Sequence, residues 1–247
     1  MAQFRIEIAG HCFEVTSLFE STRDYCRNYL SEKAPDFSVS VTAEDLIFEQ
    51  AALDEEAREE GMKRRKFTDP FLERTAIQRK VAEALFDRDV LLLHGSAVAV
   101  DATGYLFTAA CGTGKSTHTR YWREVFGHRA VMVNDDKPFL QITPAGIIMY
   151  GAPWSGKHGL DTNVAVPLKG ICILEQGAEN RIFPLEAENA LPMLLHQSQM
   201  PLDPAKQDAF CHLVKRLSES VSLWRMECTK DPQAAVIAWE AMSSRSL

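Results

Sequence analysis

The strongest chemical signal in this sequence is a glycine-rich segment that ends in a lysine and a serine. Residues 109–116 fit the phosphate-binding pattern G-x-x-x-x-G-K-[ST] at every specified position except the first, where Ala109 replaces glycine. Glycines let backbone N–H groups face a phosphate, and a helix that begins at the lysine points its positive dipole end there. The pattern predicts Lys115 beside the β- and γ-phosphates of a nucleotide and the Ser116 hydroxyl on Mg²⁺. The alternative is a glycine-rich turn that merely precedes a helix.

A second lysine extends the predicted nucleotide contacts beyond this segment. The full predicted set is Cys111, Gly112, Thr113, Gly114, Lys115, Ser116, Thr117 and Lys157. Lys157 lies in a run of small residues, 153–159, that suits a mobile flap carrying a cation toward developing phosphoryl charge. Plain surface exposure is the alternative for Lys157, and Trp154 in the same run either stacks on a base or packs in the core.

Two adjacent carboxylates, Asp135 and Asp136, follow the apolar run at 130–133. Mg²⁺ prefers carboxylate and phosphate oxygens, so an aspartate at a strand end that faces the loop is the expected metal partner. Neighbouring side chains at a strand end point in different directions. The two residues can therefore divide two tasks, one holding Mg²⁺ and the other facing an acceptor hydroxyl. An ordinary acidic turn is the alternative.

The apolar pattern predicts the elements that must position these residues. Strands are predicted at 90–93, 97–100, 105–108, 130–133, 146–150 and 170–174. Helices are predicted at 115–126, 187–198, 204–218 and 232–243. Three short strands in succession favour a mixed sheet with antiparallel pairs, flanked by helices.

The first part of the chain has a different character. Its sequence pattern predicts strands at 3–9, 12–16 and 37–41, and helices at 19–31, 51–66 and 70–86. The helix predicted at 51–66 is highly charged and expected to be exposed. We expect residues 1–85 to form a β-rich accessory segment packed on a core made by residues 86–247.

Composition narrows the partners. The chain of 247 residues carries 27 Lys+Arg against 34 Asp+Glu, a net charge of -7, which lacks the basic footprint of a nucleic-acid binder. The sequence has no apolar run long enough to cross a membrane and no pattern of a signal peptide at its start. Its six scattered cysteines are typical of free thiols in a reducing compartment, so we expect a cytoplasmic protein.

The sequence resembles the HPr kinase/phosphorylase family, whose core is related to phosphoenolpyruvate carboxykinase. The resemblance covers about residues 88–175, and its matching segments are 94–98, 105–108, 111–116 and 134–136. It implies an α/β fold with a phosphate-binding-loop core of that type, a mixed β-sheet and flanking helices. It also implies Asp135 as catalytic base, Asp136 with Ser116 as ligands of Mg²⁺, and His94 beside the reaction centre. The order of the two aspartates stays open, and a histidine bonded to backbone at a strand end is the alternative for His94.

The sequence also departs from that family. Thr117 stands where the family usually has an acidic residue, and the first 85 residues do not match the family's larger N-terminal domain. HPr is therefore a doubtful substrate, and the chain looks more like the short HPr-kinase-related proteins.

We expect a kinase that uses Mg²⁺ to move the γ-phosphoryl group of ATP, or of GTP, to an acceptor hydroxyl, a Ser or Thr of a protein or peptide. A small hydroxyl compound is a further candidate acceptor. The alternatives are a carboxykinase-like small-molecule kinase and a nucleotide-binding regulator with little catalysis. Assembly into a homo-oligomer is left open.

Overall fold

The computed structural model describes residues 1–59 and 61–244, and the chain divides into two compact units, one ending at Ala84 and one beginning at Leu85. The elements of the first unit are β1 (Ala2–Ile8), β2 (His11–Ser17), α1 (Glu20–Tyr25), β3 (Phe37–Ser40), α2 (Ala43–Glu59) and α3 (Asp69–Phe86), the last running just past the division. β1 and β2 form an antiparallel hairpin, and β3 pairs with β2 in parallel. The hairpin turn is tight because Ala9 and Gly10 both have positive φ, +50° and +78°.

The charged stretch predicted as one helix over 51–66 is divided differently in the structure. α2 begins earlier, where Asp45 Oδ2 accepts the backbone N–H of Thr42 at 2.8 Å and caps the first turn. It ends before Gly61, which has a φ of +66° and donates its N–H to the carbonyl of Arg58. The basic run at 63–66 therefore lies outside the helix, and the strand predicted over 37–41 ends at Ser40.

The second unit has nine strands and four α-helices among its described residues. These are β4 (Val90–Leu92), β5 (Ser96–Val100), β6 (Thr103–Thr108), α4 (Lys115–Phe126), β7 (Ala130–Asn134), β8 (Phe139–Thr143), β9 (Gly146–Tyr150), β10 (Ala165–Gln176), β11 (Arg181–Pro184), α5 (Ala187–Gln197), α6 (Gln207–Glu219), β12 (Ser222–Cys228) and α7 (Gln233–Ser244). The strands form one sheet in the order β4-β8-β9-β10-β6-β5-β7, and β12 adds to β10 and carries β11.

The sheet is mixed, as the sequence predicts. β10 pairs in parallel with β6 and β12, whereas β5 pairs antiparallel with both β6 and β7. The N-terminal residues of β10 instead pair antiparallel with β9, so this one long strand connects the two parts of the sheet.

Helices cover both faces of the sheet. Alternate residues of β5 and β6 enter two separate apolar clusters, as expected for side chains that point to opposite faces. One cluster contains Trp122 of α4 and Ala238 of α7, and the other contains Leu194 of α5 and Leu217 of α6. The structure thus confirms a mixed α/β fold with a mixed sheet and flanking helices.

Glu73 of α3 is a buried carboxylate that holds the first unit together. It accepts the backbone N–H of Phe19 at 3.3 Å and also the N–H of Leu18 and the hydroxyl of Thr22. These contacts tie the start of α1 to α3.

We expect Glu73→Ala to destabilise the first unit by roughly 3 kcal/mol, because several buried donors lose their acceptor at once. Glu73→Gln, which keeps one acceptor oxygen, should lose clearly less. Hydrogen exchange of the amides before Ala84 measures the effect, and unchanged exchange in Glu73→Ala would show that the carboxylate is dispensable.

Candidate functional site

The glycine-rich segment forms the turn between the end of β6 and the start of α4. Gly112 and Gly114 have φ values of +75° and +118°, a backbone region that other residues rarely adopt. Gly114 is the N-cap residue of α4, and no heavy atom lies within 4 Å of the place where a Cβ on Gly112 would stand. The loop therefore has the glycines, the following helix and the open approach that a bound phosphate requires.

Ala109 and Lys115 mark the two ends of the loop and contact each other. The Lys115 Nζ donates to the carbonyl oxygen of Ala109 at 3.0 Å, so the lysine side chain folds back along the loop. Ala109 itself is fully buried in the apolar cluster beneath α4. Its extra methyl is accommodated in the core and leaves the loop backbone free to turn.

Asp135 follows β7 directly and lies against the helix that begins at the loop. Its Oδ1 accepts the hydroxyl of Ser96 at 2.6 Å, and the Ser96 Oγ lies 2.7 Å from the Oγ1 of Thr119 in α4. All three side chains are buried, with 8%, 0% and 1% of the residue exposed for Asp135, Ser96 and Thr119. Asp135 is thus linked through Ser96 to α4, the helix that begins at the glycine-rich loop.

Asp136 lies beside His94, which follows β4. The His94 Nε2 is 3.2 Å from Asp136 Oδ1, and each side chain is 31% exposed. Burial raises the pKa of Asp136, but the hydrogen bond from His94 and the charges of Lys137, His94 and Lys115 outweigh it, so the pKa lies below its ordinary value. The charge of Lys115 in the loop thus contributes to the low pKa of Asp136.

Asn134 fixes the turn that carries both aspartates. Its Oδ1 accepts the backbone N–H groups of Asp136 and Lys137 at 2.8 and 2.6 Å, while its Nδ2 donates to the carbonyl of Ala152 at 2.7 Å. The side chain is fully buried. One amide therefore sets the direction of the acidic pair and attaches it to the segment that follows β9.

The segment at 153–159 lies against Asp136 through its backbone. A Cβ on Gly156 would meet the Cβ of Asp136 at 3.2 Å, and Gly156 begins a short 3₁₀ turn, Gly156–His158, that exposes Lys157. Trp154 is buried, and its ring centroid lies 6.2 Å from that of Phe139. Of the two alternatives for Trp154, the structure therefore favours packing in the core. The loop thus brings the backbone bearing Lys157 beside the acidic pair.

A histidine inside α4 is structural. His118 is buried, and its Nε2 accepts the indole N–H of Trp122 at 3.0 Å. Burial lowers its pKa to about 3, so it stays neutral at physiological pH.

Ser96, Thr119 and Asn134 were not assigned roles from the sequence. Ser96 and Asn134 lie within the segments that carry the family resemblance, and Thr119 follows Ser116 by three positions on a predicted helix. The spacing of three residues places Thr119 on the same helix face as Ser116. It does not indicate which strand the Thr119 hydroxyl faces.

Comparison with known proteins leaves the family unassigned. No family model matches the chain, and no curated protein matches it. One solved structure it is similar to is the Hpr(Ser) kinase/phosphatase from Coxiella burnetii, with a TM-score of 0.35, 13% identity, and coverage of 62% of this chain and 97% of that one. A likeness of this size carries no argument about fold or function, so both rest on the residues above.

Within residues 1–59 and 61–244, no group of three or more His, Cys, Asp or Glu residues is arranged to hold a metal ion. In the same part of the chain, no helix has the length and apolar content needed to cross a membrane.

We expect His94→Ala to raise the pKa of Asp136, because the hydrogen bond and charge of His94 are lost while burial remains. The wild-type pKa lies below the ordinary 3.8, so Asp136 stabilises the fold above that pH and loses this effect as pH falls through the folded value. Carboxyl ¹³C NMR titration measures the change. The carboxyl of Asp101, whose pKa Arg129 lowers, is the control and should titrate as before. An unmoved Asp136 would contradict the pairing.

Proposed function

We propose that this chain is a nucleotide- and Mg²⁺-dependent phosphotransferase of HPr kinase-like type that moves the γ-phosphoryl group of ATP or GTP to an acceptor hydroxyl. The observation that carries the proposal is the buried contact between Asp135 and α4 through Ser96 and Thr119. It joins a carboxylate at a strand end to the helix that begins at a glycine-rich, lysine-ended loop. Phosphoryl transfer needs this combination of a phosphate cradle and a carboxylate, because it depends on positioning and electrostatics.

The loop is the proposed nucleotide site. Backbone N–H groups of residues 111–117 would face the phosphates, and Lys115 would exchange its contact with the Ala109 carbonyl for one with a phosphate oxygen. Lys157 is exposed and follows Gly156, the residue that approaches Asp136, and it is the second proposed phosphate contact. Both lysines would then oppose the negative charge that the transferred group carries.

The donor atoms at the site fit Mg²⁺. This ion is usually held by one or two carboxylates together with phosphate oxygens and water, and Ser116 and Asp136 supply the protein share. The low pKa of Asp136 keeps that carboxylate ionised and ready to bind a cation. When bound, Mg²⁺ supplies neutralisation of phosphate charge.

Asp135 is the proposed base, and His94 holds Asp136 in position. In the transfer, the acceptor oxygen bonds to the γ-phosphorus, the bond from phosphorus to the β,γ-bridging oxygen breaks, and Asp135 takes the hydroxyl proton. The reverse assignment of the two aspartates remains the alternative. We propose Ser or Thr of a protein or peptide as acceptor, selected by the unit that ends at Ala84.

Paired substitutions test these roles. We expect Asp135→Asn to keep Mg-ATP affinity and lose about 10²–10⁴-fold in phosphate transfer, because an amide cannot take the proton. Asp136→Asn should instead shift the Mg²⁺ dependence to higher concentration, because a neutral amide is a poorer ligand. The measurement combines calorimetry of Mg-ATP binding with release of labelled phosphate to water, across Mg²⁺ concentration.

Asp208→Asn, an exposed aspartate of α6, is the matched control and should behave as wild type. Exchanged behaviour of the two site variants would exchange the two roles. Full activity in both site variants would show that the two aspartates have no catalytic role, and it would refute the proposed phosphotransferase function.

A further inference from the structure

Two buried hydroxyls and a carboxylate form a chain that the proposed chemistry does not by itself require. The Ser96 Oγ lies 2.6 Å from Asp135 Oδ1 and 2.7 Å from the Oγ1 of Thr119. The three residues come from separate elements, the start of β5, the end of β7 and the middle of α4. We propose that Ser96 and Thr119 are positioning residues that fix Asp135 for transfer, an inference that rests on the proposed function.

The direction of the chain follows from counting hydrogens. An ionised carboxylate only accepts, so Ser96 must donate its single hydroxyl hydrogen to Asp135. Ser96 can then take part in the second contact only as an acceptor, and Thr119 is the donor. The chain therefore runs from Thr119 through Ser96 to Asp135, and each bond polarises the next toward the carboxylate.

Thr119 has two further acceptors within reach, the backbone carbonyls of Lys115 and Ser116. Its Oγ1 lies 3.4 Å from the carbonyl oxygen of Lys115 and 3.3 Å from that of Ser116. Both distances are long beside the 2.7 Å contact to Ser96, so the hydroxyl hydrogen is directed to Ser96. The aspartate is thereby tied to α4 at Thr119, a few residues after the proposed phosphate and Mg²⁺ contacts Lys115 and Ser116.

An irregularity in the sheet brings Asp135 to Ser96. β5 and β7 pair Val98 with Met132 but Ala97 with Asn134, so β7 holds one extra residue at this point. Such a bulge re-aims the residues beyond it, and it places Asp135 beside Ser96 across the strand pair. The contact thus depends on the backbone of the sheet, which makes the position of the carboxylate rigid.

The burial of Ser96 and Thr119 shows that these side chains can position Asp135 but cannot contact a substrate directly. Ser96 and Thr119 are 0% and 1% exposed, so neither can reach an acceptor or a nucleotide in solution. Their effect must pass through Asp135, one of whose oxygens is committed to Ser96. The other oxygen, Oδ2, is the proposed acceptor of the proton.

Matched variants of Thr119 separate the hydroxyl from the methyl group. Thr119→Val keeps the shape and removes the donor, whereas Thr119→Ser keeps the donor and removes the methyl. We expect Thr119→Val to lower kcat about three- to tenfold, and Ser96→Ala, which leaves the carboxylate without its donor, to lower kcat roughly 10–100-fold. KM for Mg-ATP should change little in either variant, and Thr119→Ser should recover most of the lost kcat.

The assay is phosphate release from Mg-ATP with water as acceptor, with calorimetry of Mg-ATP binding as the test of an intact fold and loop. Ser218→Ala, which removes another buried hydroxyl from α6, is the control and should match wild type. If Thr119→Ser loses more activity than Thr119→Val, packing and not the hydroxyl matters, and the inference is wrong. It is also wrong if Ser96→Ala keeps wild-type kcat. A wild-type chain that neither binds nor turns over Mg-ATP would instead refute the proposed function itself.

Discussion

The hydrogen bond from Ser96 to Asp135 is the constraint on which the rest of the site depends. At 2.6 Å and out of solvent, it holds a carboxylate that would otherwise carry a large desolvation cost. It also sets the separation between the end of β7 and the first turn of α4, because Thr119 continues the same chain. One α-helix and one strand separate the glycine-rich loop from the acidic pair, and this contact joins Asp135 to that helix.

Two further polar side chains, Asn134 and His94, also hold the acidic pair in place. Asn134 uses both ends of its amide to fix the turn and to hold the segment after β9, and His94 restrains Asp136. Buried polar groups that are satisfied in this way rigidify a site, whereas a single missing partner is costly. Two turns of the candidate site are well exposed, the glycine-rich turn and the Gly156–His158 turn, and a ligand would approach there.

Much of this could be predicted from the sequence, where the signal is local. The bounds of α4 agree because glycines precede and follow it, and the apolar runs of β4 and β5 are buried along their whole length. The apolar run at 130–133 also predicts a buried strand, but β7 lies at the edge of the sheet and exposes Val131. The sequence pattern does not predict β8, β11 or β12, because the residues of these strands mix polar and apolar types. β8 nevertheless forms a hairpin with β9, and β12 pairs with the distant β10. The contact between Ser96 and Asp135 could not be predicted either, because the bulge between β5 and β7 that brings them together has no local sequence signal. The extended helix at 51–66 was wrong because Gly61 ends it.

We propose, above all, that the loop at 109–116 binds a nucleoside triphosphate. Calorimetric titration of Mg-ATP into wild type, Lys115→Ala and the exposed-lysine control Lys215→Ala tests it most directly. The account predicts measurable binding in wild type and Lys215→Ala, and roughly 10–100-fold weaker binding in Lys115→Ala, because one charge-assisted contact to phosphate is lost. Equal affinity in all three proteins, or no binding in wild type, would contradict it.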